Sequence, residues 1–209
     1  MFSKRNLLAS VALVVASLSL VGCSTGNGMM GGNNGNGNNG GMSNGDSPSA
    51  SDSFNMADIQ FTMMMIPHHK QAVEMSDMIL AKSGIDPKVT DLAQQIRDAQ
   101  QPEIKQMKSW LKKWNADMGS MNGDGMSGMN GGMNGMMSDD DMQALEKATG
   151  AEASRIFLEG MTEHHEGAIA MAADEIENGK DPDVIALAEE ITSSQAAEIE
   201  TMKELLAAL

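Results

Sequence analysis

The chain has 209 residues and a formal net charge of −15, with 22 methionines, 3% aromatic residues, no tyrosine and one cysteine. This charge argues against nucleic-acid binding, because phosphate contacts require clustered Lys and Arg, and it favours cations as partners. A single cysteine excludes a disulfide framework and a thiolate metal site, so the core must rely on Leu, Ile, Ala and methionine, whose thioether also suits soft metal ions.

An export signal is predicted at residues 1–22. A positively charged start precedes the apolar run Leu7–Leu20, as in secretory signal peptides. The tetrapeptide that ends at Cys23 resembles a bacterial lipoprotein signal, which implies that Cys23 carries a lipid; an ordinary secretory signal with an incidental cysteine is the alternative. The run is short for a membrane-spanning helix, so we expect a lipid-anchored envelope protein that faces the periplasm or the exterior.

Two tracts of low complexity are predicted to stay outside the core. Residues 23–53 consist largely of Gly, Asn, Ser and Met. Such a composition cannot bury enough apolar surface to offset its ordering entropy, so this tract is predicted to be a flexible tether. Residues 118–138 are similar but carry seven methionines. This second tract is interpreted either as a plain linker or as a collector of Cu(I), which thioethers prefer.

Two helical hairpins are predicted at residues 54–117 and 139–209, the second with a short helical stretch at its start. In each hairpin a glycine at the C′ position closes one helix, and Asp-Pro opens the next with aspartate as N-cap and proline at the first helical position. Short turns between long amphipathic helices make antiparallel neighbours. The sequence therefore predicts an all-α fold, an antiparallel four-helix bundle in one domain.

The pattern F-x3-M-x2-H-H-x2-A-x2-M occurs in the first helix of each hairpin, and the second copy follows the first by 96 residues. On a helix, one histidine of each pair, His68 or His164, lies on the apolar stripe. The other, His69 or His165, lies about 100° round the helix axis. All four histidines of the chain belong to these two copies.

These histidines and methionines have two interpretations, packing and metal binding. A lone histidine on an apolar stripe is usually a hydrogen-bonded core residue, and a methionine stripe is usually packing. Metal binding is favoured because methionine brackets each histidine pair, and because Met107 and Met202 recur at matching depth in the partner helices. Imidazole with thioether suits copper or silver and suits Mg²⁺ or Ca²⁺ poorly; zinc held by imidazole alone is a further alternative.

Polar residues also recur on the inner face of the second helix of each hairpin. They are Gln100 and Glu103 in the first hairpin and Gln195 and Glu198 in the second. We interpret them as acceptors for a histidine N–H, which would fix the tautomer and orientation of a metal-binding ring. The alternative is a buried polar network that only sets the helix register.

The motif M-x2-H-H-x2-A-x2-M in a duplicated hairpin, with Q-x2-E-I-x2-M in the partner helix, resembles the domain-of-unknown-function family numbered 305, which includes CopM-like periplasmic copper-binding proteins. The resemblance covers about residues 58–209. It implies a ferritin-like bundle and copper binding or tolerance outside the cytoplasm. By position it implies as ligands Met65, His68, His69, Met75, Met107, Met161, His164, His165, Met171 and Met202. Gly160 replaces Met64 in the second copy, so the two sites are expected to differ in affinity.

We therefore expect a binding protein, not an enzyme, that sequesters or buffers Cu(I), Cu(II) or Ag(I) and transfers it to a copper-efflux or other acceptor protein. A metal-free structural or partner-binding bundle is the first alternative. A ferritin-like metal oxidase is the second, and it is disfavoured because di-iron bundles need several inward carboxylates. Only Glu103 and Glu198 recur here.

Overall fold

The computed structural model describes residues 53–116 and 135–209. The predicted signal peptide, the tether and most of the methionine-rich tract lie outside these segments. Within them the chain forms α1 (Met56–Leu80), α2 (Pro87–Lys113), α3 (Asp139–Lys147), α4 (Gly150–Asn178) and α5 (Pro182–Ala208), with no strand. None of these described helices is long and apolar enough to span a bilayer. The predicted all-α bundle is confirmed.

The helix starts follow from their capping residues. The Asn55 side chain accepts the N–H of Asp58, whose carboxylate accepts the N–H of Asn55 in return, so α1 begins with a capping box. Asp86 and Asp181 cap α2 and α5, each with proline directly after it, as predicted. The short helical stretch predicted at the start of the second hairpin is α3, which begins at Asp139 because the Ser138 hydroxyl caps it and three aspartates favour the positive end of its dipole.

The glycines at the ends of α1 and α4 do not occupy the predicted C′ position. Gly84 has φ +77° and lies three residues beyond Ala81, the C-cap of α1. Gly179 is itself the C-cap of α4, with φ −66°. A β-carbon at Gly179 would collide with the carboxyl group of Glu175. Close packing, and not a left-handed backbone, therefore requires glycine at residue 179.

The bundle consists of two antiparallel hairpins, α1 with α2 and α4 with α5, which meet mainly through α1 and α4. The side chain of Asn55, at the start of α1, donates to the carbonyl of Asn178 at the end of α4. α1 and α4 are therefore antiparallel, and the equivalent residues His68 and His164 face each other at their crossing. The hairpins are thus related by an approximate two-fold axis that passes between these two rings.

Two apolar clusters fill the bundle on either side of the histidines. The first joins the beginning of α1 and the end of α2 to the end of α4 and the beginning of α5. The second is its counterpart at the other end, and it also receives Leu145 from α3. Full burial of one such Leu, Ile, Phe or Met side chain contributes about 1.5–3 kcal/mol. The histidines therefore lie in the middle of one continuous interior.

A buried carboxyl pair joins the start of α1 to the turn between α4 and α5. Asp58 accepts the backbone N–H groups of Lys180 and Asp181, each at 2.9 Å. Burial alone would raise the pKa of Asp58, but these donors, the N–H of Asn55 and contact with Glu175 lower it. Burial and the nearby carboxylates of Asp58 and Asp181 raise the pKa of Glu175 to about 8. Glu175 is therefore largely protonated at neutral pH.

Candidate metal centre

Four imidazoles are buried in the middle part of the bundle, and each is exposed by 1% or less. The rings of His68 and His164 have centroids 3.7 Å apart and an interplanar angle of 37°. The ring of His165 lies 6.3 Å from that of His164. The structure thus places all four predicted histidines in the interior, with one from each pair at the crossing of α1 and α4.

The outer histidine of each pair is held by a carboxylate from the partner helix. His69 Nε2 lies 2.7 Å from Glu103 Oε2, and His165 Nε2 lies 2.7 Å from Glu198 Oε2. Each hydrogen bond fixes the orientation of its ring and turns Nδ1 away from the glutamate. Glu103 and Glu198 therefore each make the hydrogen bond with a histidine that the sequence predicted for them.

The glutamines that recur with them behave differently. Gln100 and Gln195 are buried. Neither side-chain amide oxygen accepts a hydrogen bond from any residue in the described segments. Of the four polar residues predicted to accept a histidine N–H, only the two glutamates therefore do so.

His164 is neutral at physiological pH. Burial, the largest cause, and the neighbouring His68, His165 and His69 lower the pKa of His164 to about 2. A neutral imidazole keeps a lone pair on one ring nitrogen, which is the form that binds a metal. The interior therefore maintains this histidine as a competent ligand without any loss of a proton on binding.

Some imidazole nitrogens in this interior lack a hydrogen bond. Nδ1 of His69 and Nδ1 of His165 are buried without a hydrogen-bond partner in the described part of the chain. A buried polar atom left unpaired costs about 1–3 kcal/mol, so each such atom calls for a physical reason. A bound metal ion would satisfy these nitrogens, and the residues present fit that role.

The six predicted methionine ligands divide between the two ends of the bundle. Met65 and Met107 belong to the first apolar cluster, and Met171 packs against it. Met75, Met161 and Met202 belong to the second. All except Met171 are fully buried. Along α1, Met65 and Met75 lie on opposite sides of the crossing with α4. Because α1 and α4 are antiparallel, Met75 lies at the same end of the bundle as Met161, and Met171 lies at the same end as Met65.

Harder donors do not form a metal site in the same region. Within residues 53–116 and 135–209, no three His, Cys, Asp or Glu side chains converge to hold a metal ion. A di-iron centre needs several such carboxylates and histidines together.

Residues 58–206 match the model of a family described as Domain of unknown function (DUF305). The chain belongs to this family. No protein with curated annotation is significantly similar to it in sequence.

Solved structures of this family share the fold. A secreted DUF305 protein of Streptomyces coelicolor is 36% identical with TM-score 0.67, and the match covers 76% of this chain and 95% of that one. A DUF305 fragment from Deinococcus radiodurans is 32% identical with TM-score 0.63, covering 74% and 98%. CopM in its Cu(I)-bound form is 31% identical with TM-score 0.59, covering 72% and 96%. CopM also has Cu(II)-bound and Ag-bound structures.

Met137 is a partly buried thioether that the motif did not indicate as part of this DUF305 bundle. A β-carbon placed on Gly160 would lie 2.7 Å from Met137 Sδ. The Gln71 side chain holds the backbone of Met137, donating to its carbonyl and accepting from its N–H, both at 2.9 Å. Met137 therefore fills the space opened by Gly160, and the only signal in the sequence was the replacement of Met64 by glycine in the second copy.

Proposed function

We propose that this DUF305 protein binds copper outside the cytoplasm, chiefly as Cu(I), with Cu(II) and Ag(I) as further ligands, and buffers it in metal tolerance. The observation that carries the proposal is the burial of unpaired imidazole nitrogens between two groups of buried thioethers. Nitrogen and thioether donors suit Cu(I) and Ag(I). The similarity to CopM, whose structures contain Cu(I), Cu(II) and Ag, supports the same assignment.

The chain's own residues explain how the ion would be held. Glu103 and Glu198 orient His69 and His165 through Nε2, so that Nδ1 of each ring is the nitrogen offered to the metal. Burial keeps His164 neutral. Copper supplies a Lewis acid that accepts these lone pairs, and the surrounding apolar clusters exclude competing water. Storage and transfer need only this reversible coordination, so we propose binding and not catalysis.

We further propose that a lipid on Cys23 anchors the protein to the cell envelope. The similarity to a secreted DUF305 protein supports export, and the sequence around Cys23 supports lipidation. A Cys23→Ala variant is expected to move from the membrane fraction to the soluble fraction after cell lysis. If the variant and the parent fractionate alike, the anchor proposal is wrong. With the protein anchored through Cys23, a bound copper ion would be available to an acceptor protein at the membrane.

Anaerobic competition titration against a Cu(I) chelator tests the copper proposal. The full chain is compared with a His68→Ala/His164→Ala variant and with Met78→Leu, which changes a thioether that is not among the predicted ligands. We expect the double variant to bind Cu(I) more weakly and the control to bind like the parent. If all three bind alike, the central site is not the copper site.

A thermal experiment separates this proposal from a metal-free structural bundle. A ligand that binds only the native state raises the melting temperature. We expect copper and silver to raise the melting temperature of the parent, and to raise it less in Glu103→Gln/Glu198→Gln, which keeps the shape of both side chains. An unchanged melting temperature of the parent with copper, silver and zinc would favour the structural bundle.

A further inference from the structure

A cavity of about 430 Å³ opens in the groove between the start of α1 and the end of α4. We call it the vestibule. Its walls include Gln60, Phe61, Met64, Met171, Asp174 and Glu175. Two features of this lining bear on metal binding. Met64 on α1 and Met171 on α4 each contribute a thioether, and Gln60 and Asp174 place side-chain oxygens beside them.

The thioethers of the vestibule lie between solvent and the first apolar cluster. Met64 and Met171 are only partly buried. Met171 also packs against the first apolar cluster, to which the fully buried Met65 and Met107 belong. A soft ion that reaches the vestibule therefore meets sulfur at the surface and further sulfur below it. Coordination by sulfur at each of these positions would offset the large cost of a bare charge in an apolar interior.

The counterpart of the vestibule at the other end of the bundle is filled. Gly160 stands at the position equivalent to Met64, and Met137 occupies the space beside it. α3 packs against α4 and α1 at this end. Lys82 Nζ donates to the Glu146 carbonyl at 2.7 Å and fastens α3 to α1. The approximate two-fold symmetry is therefore broken at this end of the bundle, where Met137 and α3 cover the position at which a second vestibule would open.

A second cavity of about 540 Å³ lies between α2 and α5. Its lining includes Lys88, Asp91 and Glu198 but no methionine or histidine. A hydrated hard cation or a small polar molecule suits such a lining better than Cu(I) does. The vestibule is thus the better match to a soft ion.

We propose that the vestibule is the uptake port for a soft monovalent cation, in which Met64 and Met171 bind Cu(I) or Ag(I) before it moves to the buried donors. The proposal rests on the copper function proposed above and adds a route to it. Each step replaces one sulfur–metal bond by another, so no electron or proton is transferred. Asp174 and the other acidic groups of this negatively charged chain attract the cation to the opening.

Stopped-flow transfer of Cu(I) from a coloured chelator complex to the full chain tests the port. Met64→Leu keeps the volume of the side chain and removes its sulfur, and Met78→Leu makes the same change outside the vestibule. The methionine-rich tract is common to all variants, so it does not affect their comparison. We expect Met64→Leu to slow transfer about tenfold, with an unchanged end point, and Met78→Leu to transfer like the parent.

The outcomes separate the port from the copper function. If Met64→Leu transfers at the parent's rate, the port is wrong and the central site stands. If Met64→Leu loses as much equilibrium affinity as His68→Ala/His164→Ala, Met64 belongs to the central site and the port is again wrong. A parent chain that takes no Cu(I) from the chelator overturns the copper function itself. In ¹³C-methyl methionine spectra, Ag(I) is expected to shift the Met64 and Met171 methyl signals before those of Met161 and Met202.

Discussion

The rings of His68 and His164 lie against each other at the crossing of α1 and α4, with centroids 3.7 Å apart. His68 and His164 occupy the same position in the two copies of the motif, so equivalent residues of the two hairpins are in contact. Two imidazoles at this distance in a dry interior cannot both carry a proton, because like charges and desolvation both oppose it. Of the two, His164 has a pKa lowered to about 2 by burial and by its histidine neighbours, so a fall in pH acts on this ring at the centre of the fold.

Acid is expected to destabilise the metal-free protein through His164. Its pKa is lowered from 6.5 to about 2 in the folded protein. Below pH 6.5 the unfolded state binds more protons than the folded state, so the free energy of unfolding decreases as the pH falls. Urea unfolding between about pH 6.5 and pH 4 measures this loss. A His164→Leu variant is expected to lose less stability over the same range, and an equal loss would contradict the assignment.

Glu175 is expected to produce the opposite trend at higher pH. Its pKa is raised from 4.5 to about 8. Between these values the folded state binds more protons than the unfolded state, so stability decreases as the pH rises. Melting temperatures between about pH 6.5 and about pH 8, above the range of the His164 effect, should fall in the parent and stay level in Glu175→Gln. The exposed Glu177→Gln is the control, and it should follow the parent.

Removal of either carboxylate that holds a histidine should weaken copper binding. Loss of such a partner typically lowers metal affinity about 10–100-fold. Glu103→Gln and Glu198→Gln are each expected to show this effect by Cu(I) competition, with helix content unchanged in circular dichroism. Glu166→Gln, an exposed change next to His165 in sequence, provides the control. Affinities equal to the control would show that these glutamates only fix the helix register.

The buried thioethers can be separated from their packing role by substitution with leucine. Met107→Leu and Met202→Leu conserve volume, and such swaps usually cost less than about 1.5 kcal/mol of stability. We expect both variants to unfold near the parent's denaturant midpoint but to bind Ag(I) more weakly in competition titration. The alanine variants should lose about 2–5 kcal/mol, because they leave cavities. Unchanged Ag(I) affinity in the leucine variants would make these methionines packing residues only.

The hairpins and the inward histidines could be predicted because their signals are local. Capping by Asp86 and Asp181, each followed by proline, sets where the helices begin. The spacing of Met65, His68 and their equivalents places them on one stripe. Periodicity and caps act within a few residues, so a single copy of the pattern contains the information.

The arrangement of donors between the hairpins could not be predicted in this way. Met75 and Met171 bracket their histidines in sequence, yet the antiparallel crossing carries each to the other end of the bundle. The buried pair of Asp58 and Glu175 depends on a contact across more than 100 residues, for which the sequence has no local signal. Met137 reaches Gly160 only because the chain returns over α4 before α3 begins.

The exchange of Met75 and Met171 across the crossing has a consequence for the origin of the domain. Neither hairpin alone contains a full set of donors, because each end of the bundle borrows one sulfur from the other repeat. An ancestral single hairpin could have assembled the same interior only as a symmetric homodimer. Two such hairpins joined in one chain are free to differ, as they do where Gly160 stands at the position equivalent to Met64.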